Sequence, residues 1–245
     1  MQEKTVLVIG KNGKMGRLAS EVINDNKHWR VVAAIGREDG LQQALHDQQP
    51  DVVLELSDAA SVYENARVVI ANSTPLVIGA SGLSKDQRLV LSQRAKDGQV
   101  PVLEVPNFSI GAILMMRCAA QIAYHLPSVS IVERHHVKKK DSPSATAIES
   151  KRRIDKVLAK QMSHNAFPGV EIHSVRTPGV LAEQEVLCSQ PGESLRILHQ
   201  CIDRQAYAPG ILLALEKVTA APEWRVGLDD YIMDIESKPR QGQSQ

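Results

Sequence analysis

Five short apolar runs set the rhythm of the first hundred residues and constrain the fold more than any other feature. They lie at 6–10, 31–35, 51–56, 75–79 and 100–105. Each is rich in Val, Ile and Leu, and none alternates with a polar face. A strand covered on both sides of a parallel sheet has this pattern. Helical segments are predicted between them, at 15–24, 41–48, 62–71 and 85–96. A β-strand, helix, β-strand alternation of this kind builds an open, doubly wound α/β sheet.

The second half changes rhythm. A long apolar helix is predicted over 109–126, a strand over 129–135 and a charged amphipathic helix over 143–162. Strand-like runs follow at 170–176, 181–188 and 194–203, separated by the turns Pro178-Gly179 and Pro191-Gly192. Successive strands with tight turns predict an antiparallel or mixed sheet in an α+β domain. A last helix is expected over 208–218. The domain boundary falls near Asn107 to Gly111, giving a first domain of 1–107 and a second of 108–217. Residues 218–240 are left to pack back on the first domain. The polar tail 238–245 is expected to fray.

Composition narrows the function. Lys plus Arg number 29 against 28 Asp plus Glu, a formal charge of +1. A chain this neutral has no global attraction for nucleic acid or anionic membrane. Aromatic residues are 3%, so no stacking platform for single strands is expected. Cys118, Cys188 and Cys201 form no CxxC pair, which predicts a reducing, cytoplasmic setting. The longest apolar segment, near 110–123, is interrupted by Arg117 and is too short to span a bilayer. Cys118 and the pair Met115-Met116 in that segment read as core.

The first run leads into the sequence VLVIGKNGKMGR. Gly10, Gly13 and Gly16 lie three apart, after a strand and at the opening of a helix. Glycine there permits a sharp turn and lets a pyrophosphate approach main-chain N–H groups at a helix N-terminus. Gly10, Lys11, Asn12, Gly13, Lys14 and Met15 are therefore the expected dinucleotide loop. The second run ends in Gly36-Arg37 with no carboxylate on the strand, although Glu38 and Asp39 follow. A basic residue there meets the ribose phosphate of NADPH, an acidic one the hydroxyls of NADH. Arg37, with Lys11 and Lys14, favours NADPH over NADH. Gly79, Ala80 and Ser81 after the fourth run, and Pro106, Asn107 and Phe108 after the fifth, fall where ligands bind in such sheets. Taken alone, each of these is an ordinary turn.

A second concentration of chemistry is ERHHVKKKDSPSATA, 133–147. Arg134, His135, His136, Lys138, Lys139 and Lys140 fall within seven residues of a neutral chain. No Cys or carboxylate pattern completes a metal site, and adjacent strand histidines face opposite ways, so no metal is expected. Ser142 is the expected N-cap, with Pro143 at the first helical position. That places the amides of Ser144, Ala145 and Thr146 in the first turn, suited to a small carboxylate. A histidine beside it can donate a proton near neutrality.

The same segment resembles the E-x-H-H-x-x-K-x-D-A-P-S-G-T-A signature of the 4-hydroxy-tetrahydrodipicolinate (dihydrodipicolinate) reductases. Gly10 to Gly16 is similar to that family's G-x-x-G-[RK]-M-G, and Asn107 to Gly111 to its N-F-S-x-G. Ser174, Arg176, Pro178, Gly179, Glu185, Val186, Gly192, Glu193, His199, Arg204 and Gly210 match its later positions in order. The resemblance implies a Rossmann domain followed by a substrate and oligomerisation domain, assembled as a homotetramer. It implies reduction of a cyclic unsaturated dicarboxylate by NADH or NADPH on the route to diaminopimelate and lysine. It implies His135 as proton donor and acceptor, Lys139 as second proton donor, His136 as a substrate contact, and Ala145 and Thr146 as carboxylate donors. Two departures stand out: Ala145 replaces the signature glycine, and Glu55-Leu56-Ser57 replaces D-F-[ST]. They leave as alternatives a paralogue that only binds the dinucleotide, or a reductase of another small carboxylate.

Overall fold

The computed structural model describes residues 3–161, 169–220 and 224–232. Contacts divide the chain into two compact units, residues 1–108 with 207–245, and residues 109–206. In the first unit the strands are β1 (Lys4–Ile9), β2 (Trp29–Ile35), β3 (Val52–Glu55), β4 (Leu76–Ile78) and β5 (Val102–Glu104). The helices between them are α1 (Lys14–Asn24), α2 (Leu41–Gln48), α3 (Val62–Ala71) and α4 (Lys85–Asp97). These elements lie on the predicted runs within a few residues. The strands are parallel neighbours in the order β5-β4-β3-β1-β2. Leu7, Val53, Leu76 and Leu103 are fully buried, which explains why these strands show no polar face. Each such side chain contributes about 1.5–3 kcal/mol on burial, and the core is aliphatic, as expected for a chain with so few aromatics.

Helix starts are fixed by local chemistry. Ser84 caps α4 with a capping box, its hydroxyl accepting from Gln87 N–H while the Gln87 side chain accepts from Ser84 N–H. At the end of β5, buried Glu104 is gripped by Arg88 of α4 through three bonds of 2.8–2.9 Å.

The second unit begins with α5 (Ile110–Ala123), capped by the Ser109 hydroxyl. Then come β6 (Ser128–His135), α6 (Ala145–Gln161), β7 (Glu171–Arg176), β8 (Ala182–Gln190) and β9 (Glu193–Cys201). The sheet order is β7-β6-β8-β9. β6 and β7 are parallel, while β8 is antiparallel to both β6 and β9. The sheet is thus mixed. One face is covered: Ile131, Val186 and Cys188 are buried on it, and Gln184 reaches Ser150 of α6 at 2.7 Å.

Three expectations differ from what is observed. Helix α7 (Ala208–Val218), placed by the sequence reading in the second domain, belongs to the first unit and contacts α1. Gly210 makes this possible, because a Cβ there would lie 1.9 Å from the Phe108 carbonyl oxygen. The short strand β10 (Trp224–Val226) was not anticipated; it extends the first sheet beside β5. Cys118, read as core, is exposed, although Met115 and Met116 beside it are buried. Met162, residues 221–223 and residues 233–245, which include the expected tail, lie outside the described residues. Among the described residues no helix is long and apolar enough to cross a membrane.

Candidate active site

In the first unit the glycine turn follows β1 directly. Gly10 adopts φ +99°, and its N–H and that of Lys11 both donate to Ile35 O, at 2.9 and 3.0 Å. A Cβ on Gly16 would sit 2.1 Å from Gly10 O, so only glycine allows α1 to pass this close to the turn. Gly13 is the N-cap of α1 and supplies no side-chain cap, and the first turn holds no acidic residue. The leading N–H groups, including those of Lys14 and Met15, have no acceptor within the helix. A terminus of this kind suits a pyrophosphate, and the residues present fit a nicotinamide dinucleotide.

The other expected cofactor residues gather on the same edge. Gly79, Ala80 and Ser81 leave the end of β4, with Gly79 and Ala80 N–H donating to Glu55 O at 2.8 and 3.2 Å. Pro106, Asn107 and Phe108 leave the end of β5. A Cβ on Gly79 would lie 2.5 Å from the Phe108 ring, so these two turns are packed on each other. Phe108 is buried, its ring against Gly79 and its main chain against Gly210.

The end of β2 is less simply basic than the sequence suggests. The Asp39 carboxylate turns back to accept Gly36 N–H at 2.7 Å and pairs with Lys11 at 2.6 Å. Lys11 and then the Gly36 amide hold that carboxyl below its usual range. Arg37 pairs with Asp58 at 2.7 Å. The absence of a carboxylate on the strand therefore did not mean the absence of one at the site.

In the second unit the parallel strands β6 and β7 end together, and α6 begins between them in the chain. His135 closes β6 and Arg176 closes β7, side by side in register. Residues two apart on a strand share a face, so Glu133 stands behind His135. Glu133 is fully buried and accepts a hydrogen bond from His135 Nδ1. Arg176 grips the same carboxylate at 2.9 and 3.1 Å and donates to the Asp141 carbonyl at 2.7 Å. Burial alone would raise the Glu133 carboxyl, but Arg176, Ser174 and His135 outweigh it and hold it below the usual range. Because an ionised carboxylate only accepts, Nδ1 carries the hydrogen and Nε2 is left as the working nitrogen. Burial lowers the pKa of His135; Glu133 opposes this, and Lys139 and Arg176 reinforce it. Sequence reasoning gave Glu133 and Arg176 no role. The i, i+2 spacing on a strand was the available signal for Glu133, while Arg176 needs the strand register.

The loop after β6 is tied down. Lys139 N–H donates to His136 O at 3.0 Å, and Lys139 Nζ pairs with Asp141 at 2.8 Å. Lys139 holds the Asp141 carboxyl below its usual range. His136 is half-buried, and Lys138 and Lys140 are exposed. Two expectations are corrected. Arg134 does not join the cluster: it faces the other side of the sheet and pairs with Glu183 of β8. The N-cap of α6 is Ser144, whose hydroxyl accepts from Ala147 N–H at 3.2 Å, rather than Ser142. Helix α6 accordingly starts at Ala145, beyond Pro143. Ala145 and Thr146 are its first two residues, with N–H groups directed out of the helix end. Ala145 is exposed and is not among the residues with positive φ, so helical geometry accepts its methyl group. Among the described residues no group of three or more His, Cys, Asp or Glu side chains is placed to hold a metal.

Known proteins match both halves. The family model for the N-terminus of dihydrodipicolinate reductase matches residues 4–108, and that for its C-terminus matches residues 111–232. A 4-hydroxy-tetrahydrodipicolinate reductase from Legionella pneumophila is 40% identical over 239 residues, covering 93% of this chain and 98% of the relative. One from Coxiella burnetii is 34% identical over 235 residues with the same coverage. The solved structure of a dipicolinate-bound dihydrodipicolinate reductase from Paenisporosarcina sp. TG-14 superposes with a TM-score of 0.84 at 27% identity, covering 95% of this chain and all of that one. With the glycine turn and the His135 cluster in place, these matches show that the chain belongs to the 4-hydroxy-tetrahydrodipicolinate reductase family.

Proposed function

We propose that the chain carries out its family's reduction, 4-hydroxy-tetrahydrodipicolinate to tetrahydrodipicolinate in diaminopimelate and lysine biosynthesis, with His135 and Lys139 as the proton donors. The observation that carries this reading is the convergence of the β6 end, the β7 end and the α6 N-terminus. There Arg176 joins His135 on Glu133 and donates to the Asp141 carbonyl, in the loop that holds Lys139 and leads into α6, which supports the reading. The nicotinamide dinucleotide supplies the hydride. The protein's own residues manage charge and protons. Loss of the 4-hydroxyl as water gives the unsaturated ring; hydride addition to that ring then leaves negative charge, which an imidazolium at Nε2 with a nearby ammonium stabilises and quenches. Glu133 fixes the ring and its tautomer. His136 contacts the substrate, and Ala145 and Thr146 hold a carboxylate. Dipicolinate bound by the Paenisporosarcina relative supports a small dicarboxylate as the ligand class.

The cofactor seat comprises Gly10, Lys11, Asn12, Gly13, Lys14, Met15, Arg37, Gly79, Ala80, Ser81, Pro106, Asn107 and Phe108. NADPH is preferred, and NADH is also accepted; Arg37, Lys11 and Lys14 support the first and Asp39 the second. Residues 1–107 hold the dinucleotide, and the second unit holds substrate and assembles a homotetramer. Its uncovered sheet face carries Val132, Val175, Leu187 and Leu198, with Leu198 56% exposed. Three free cysteines fit a reducing cytoplasm. Full-length identity to curated reductases favours turnover over a binding-only paralogue.

Turnover of freshly made substrate with NADPH and with NADH tests this reading. Wild type oxidises both, with the lower KM for NADPH, and His135→Ala and Lys139→Ala each fall about 10²–10⁴-fold. Binding of NADPH without oxidation, or variants equal to wild type, would overturn it.

A further inference from the structure

The dinucleotide edge of the first sheet carries an ion pair that the reaction does not require. Arg37 follows β2 and Asp58 follows β3, and β1 with its glycine turn lies between those strands. The 2.7 Å contact from Arg37 Nη2 to Asp58 Oδ2 therefore straps the two loops across that turn. Asp58 is well fixed for this. Its Oδ1 accepts the amide hydrogens of Ala60 at 3.0 Å and Ser61 at 3.1 Å, leaving Oδ2 for the guanidinium. Arg37 is 80% exposed, which leaves it room to turn between partners. Lys11, another cation at this edge, is also engaged, by Asp39.

We infer that Asp58 is a specificity-determining residue for the dinucleotide: its carboxylate competes with the ribose 2′-phosphate for Arg37 and so narrows the preference for NADPH over NADH. The inference rests on the reading that Arg37 meets that phosphate. A phosphate offers Arg37 more charge and more acceptor oxygens than one carboxylate does. To use them it must break the strap and then lie near the Asp58 charge. NADH carries no 2′-phosphate and meets neither obstacle. An exposed pair of this kind changes an equilibrium by up to about fivefold, and relief of like-charge repulsion adds to that.

The test is fluorescence titration of NADPH and NADH into the full chain as wild type, Asp58→Asn, Arg37→Ala and the double variant. Asparagine keeps the Oδ1 acceptor for Ala60 and Ser61 while removing the charge. Asp58→Asn is expected to tighten NADPH about three- to tenfold and to move NADH less than about twofold. The gain should shrink when Arg37 is already alanine. If Arg37→Ala weakens NADPH but Asp58→Asn leaves it unchanged or weaker, the competition is refuted while the phosphate role of Arg37 stands. An equal change for both dinucleotides refutes it too, by pointing to the turn as a whole. If Arg37→Ala leaves NADPH binding intact, the underlying reading fails, and the inference with it.

Discussion

Replacing Glu133 by glutamine tests how His135 is poised for its proposed role. Glu133 is buried, with its two oxygens shared between His135 Nδ1 and the Arg176 guanidinium. The substitution keeps the shape and removes the charge. Two consequences follow. Arg176 loses its ionic partner in a half-buried place, although Gln can still accept one hydrogen bond. Deleting one side of a buried pair outright costs about 3–5 kcal/mol; with one bond retained, about 1–3 kcal/mol is expected. The effect on His135 has a definite sign. Burial, Lys139 and Arg176 lower its pKa, and Glu133 is the chief group that raises it. Without that charge the imidazole becomes harder to protonate. If protonated His135 is the donor, kcat/KM falls as pH rises through its pKa, so the falling limb must move to lower pH. At neutral pH a loss of about 10–100-fold is expected, part of what a positioned acid contributes. Urea unfolding gives the stability term and a pH series of kcat/KM gives the limb. A limb that stays in place, or moves up, would refute the positioning role even if stability falls as predicted.

Three further outcomes are expected. Gly16→Ala places a methyl group 2.1 Å from Gly10 O, so dinucleotide affinity measured by titration should fall by at least about tenfold, while a folded circular dichroism spectrum persists. Glu55 is fully buried, and burial raises its pKa against the opposition of Ser57 and Asn65. The folded state therefore binds its proton more tightly than the unfolded state, whose value is about 4.3. Stability from this group falls as pH rises from there through the folded pKa. Glu55→Gln should then raise Tm at pH 8 more than at pH 5; equal shifts at both would contradict this. Gly210→Ala, whose Cβ would lie 1.9 Å from Phe108 O, should destabilise the chain by about 1–3 kcal/mol in urea, as overpacking does.

The first sheet was legible because a strand buried on both faces must be continuously apolar. Val52 to Leu54 illustrates this, with every side chain fully buried. Strand β10 was not legible: it is three residues at an edge, and Arg225 and Val226 are exposed. The helix over 208–218 was visible as a helix, but its apolar face does not say which unit it covers. At the site, the succession of His135, His136 and Lys139 ahead of a helix could be read from local order, although α6 starts two residues later than expected. The cap could not, since Ser142 and Ser144 flank one proline and either hydroxyl can accept an amide. Glu133 looked like a charged strand residue among others. Only the parallel register of β6 and β7, joined through α6, brings Arg176 onto it from 43 positions away. The carboxylates Asp39 and Asp58 were hidden for a similar reason, because loop residues fold back onto a strand end in ways that spacing does not encode.

In the proposed site His135 and Lys139 face a dicarboxylate anchored on the start of α6. A crystal structure of the full chain with oxidised dinucleotide and dipicolinate tests it most directly. The expected result has His135 Nε2 and Lys139 Nζ within hydrogen-bonding reach of the ligand, one carboxylate on the Ala145 and Thr146 amides, and the His135 Nδ1 bond to Glu133 retained. Dipicolinate bound away from α6, or His135 turned so that Nδ1 rather than Nε2 faces it, would overturn these roles.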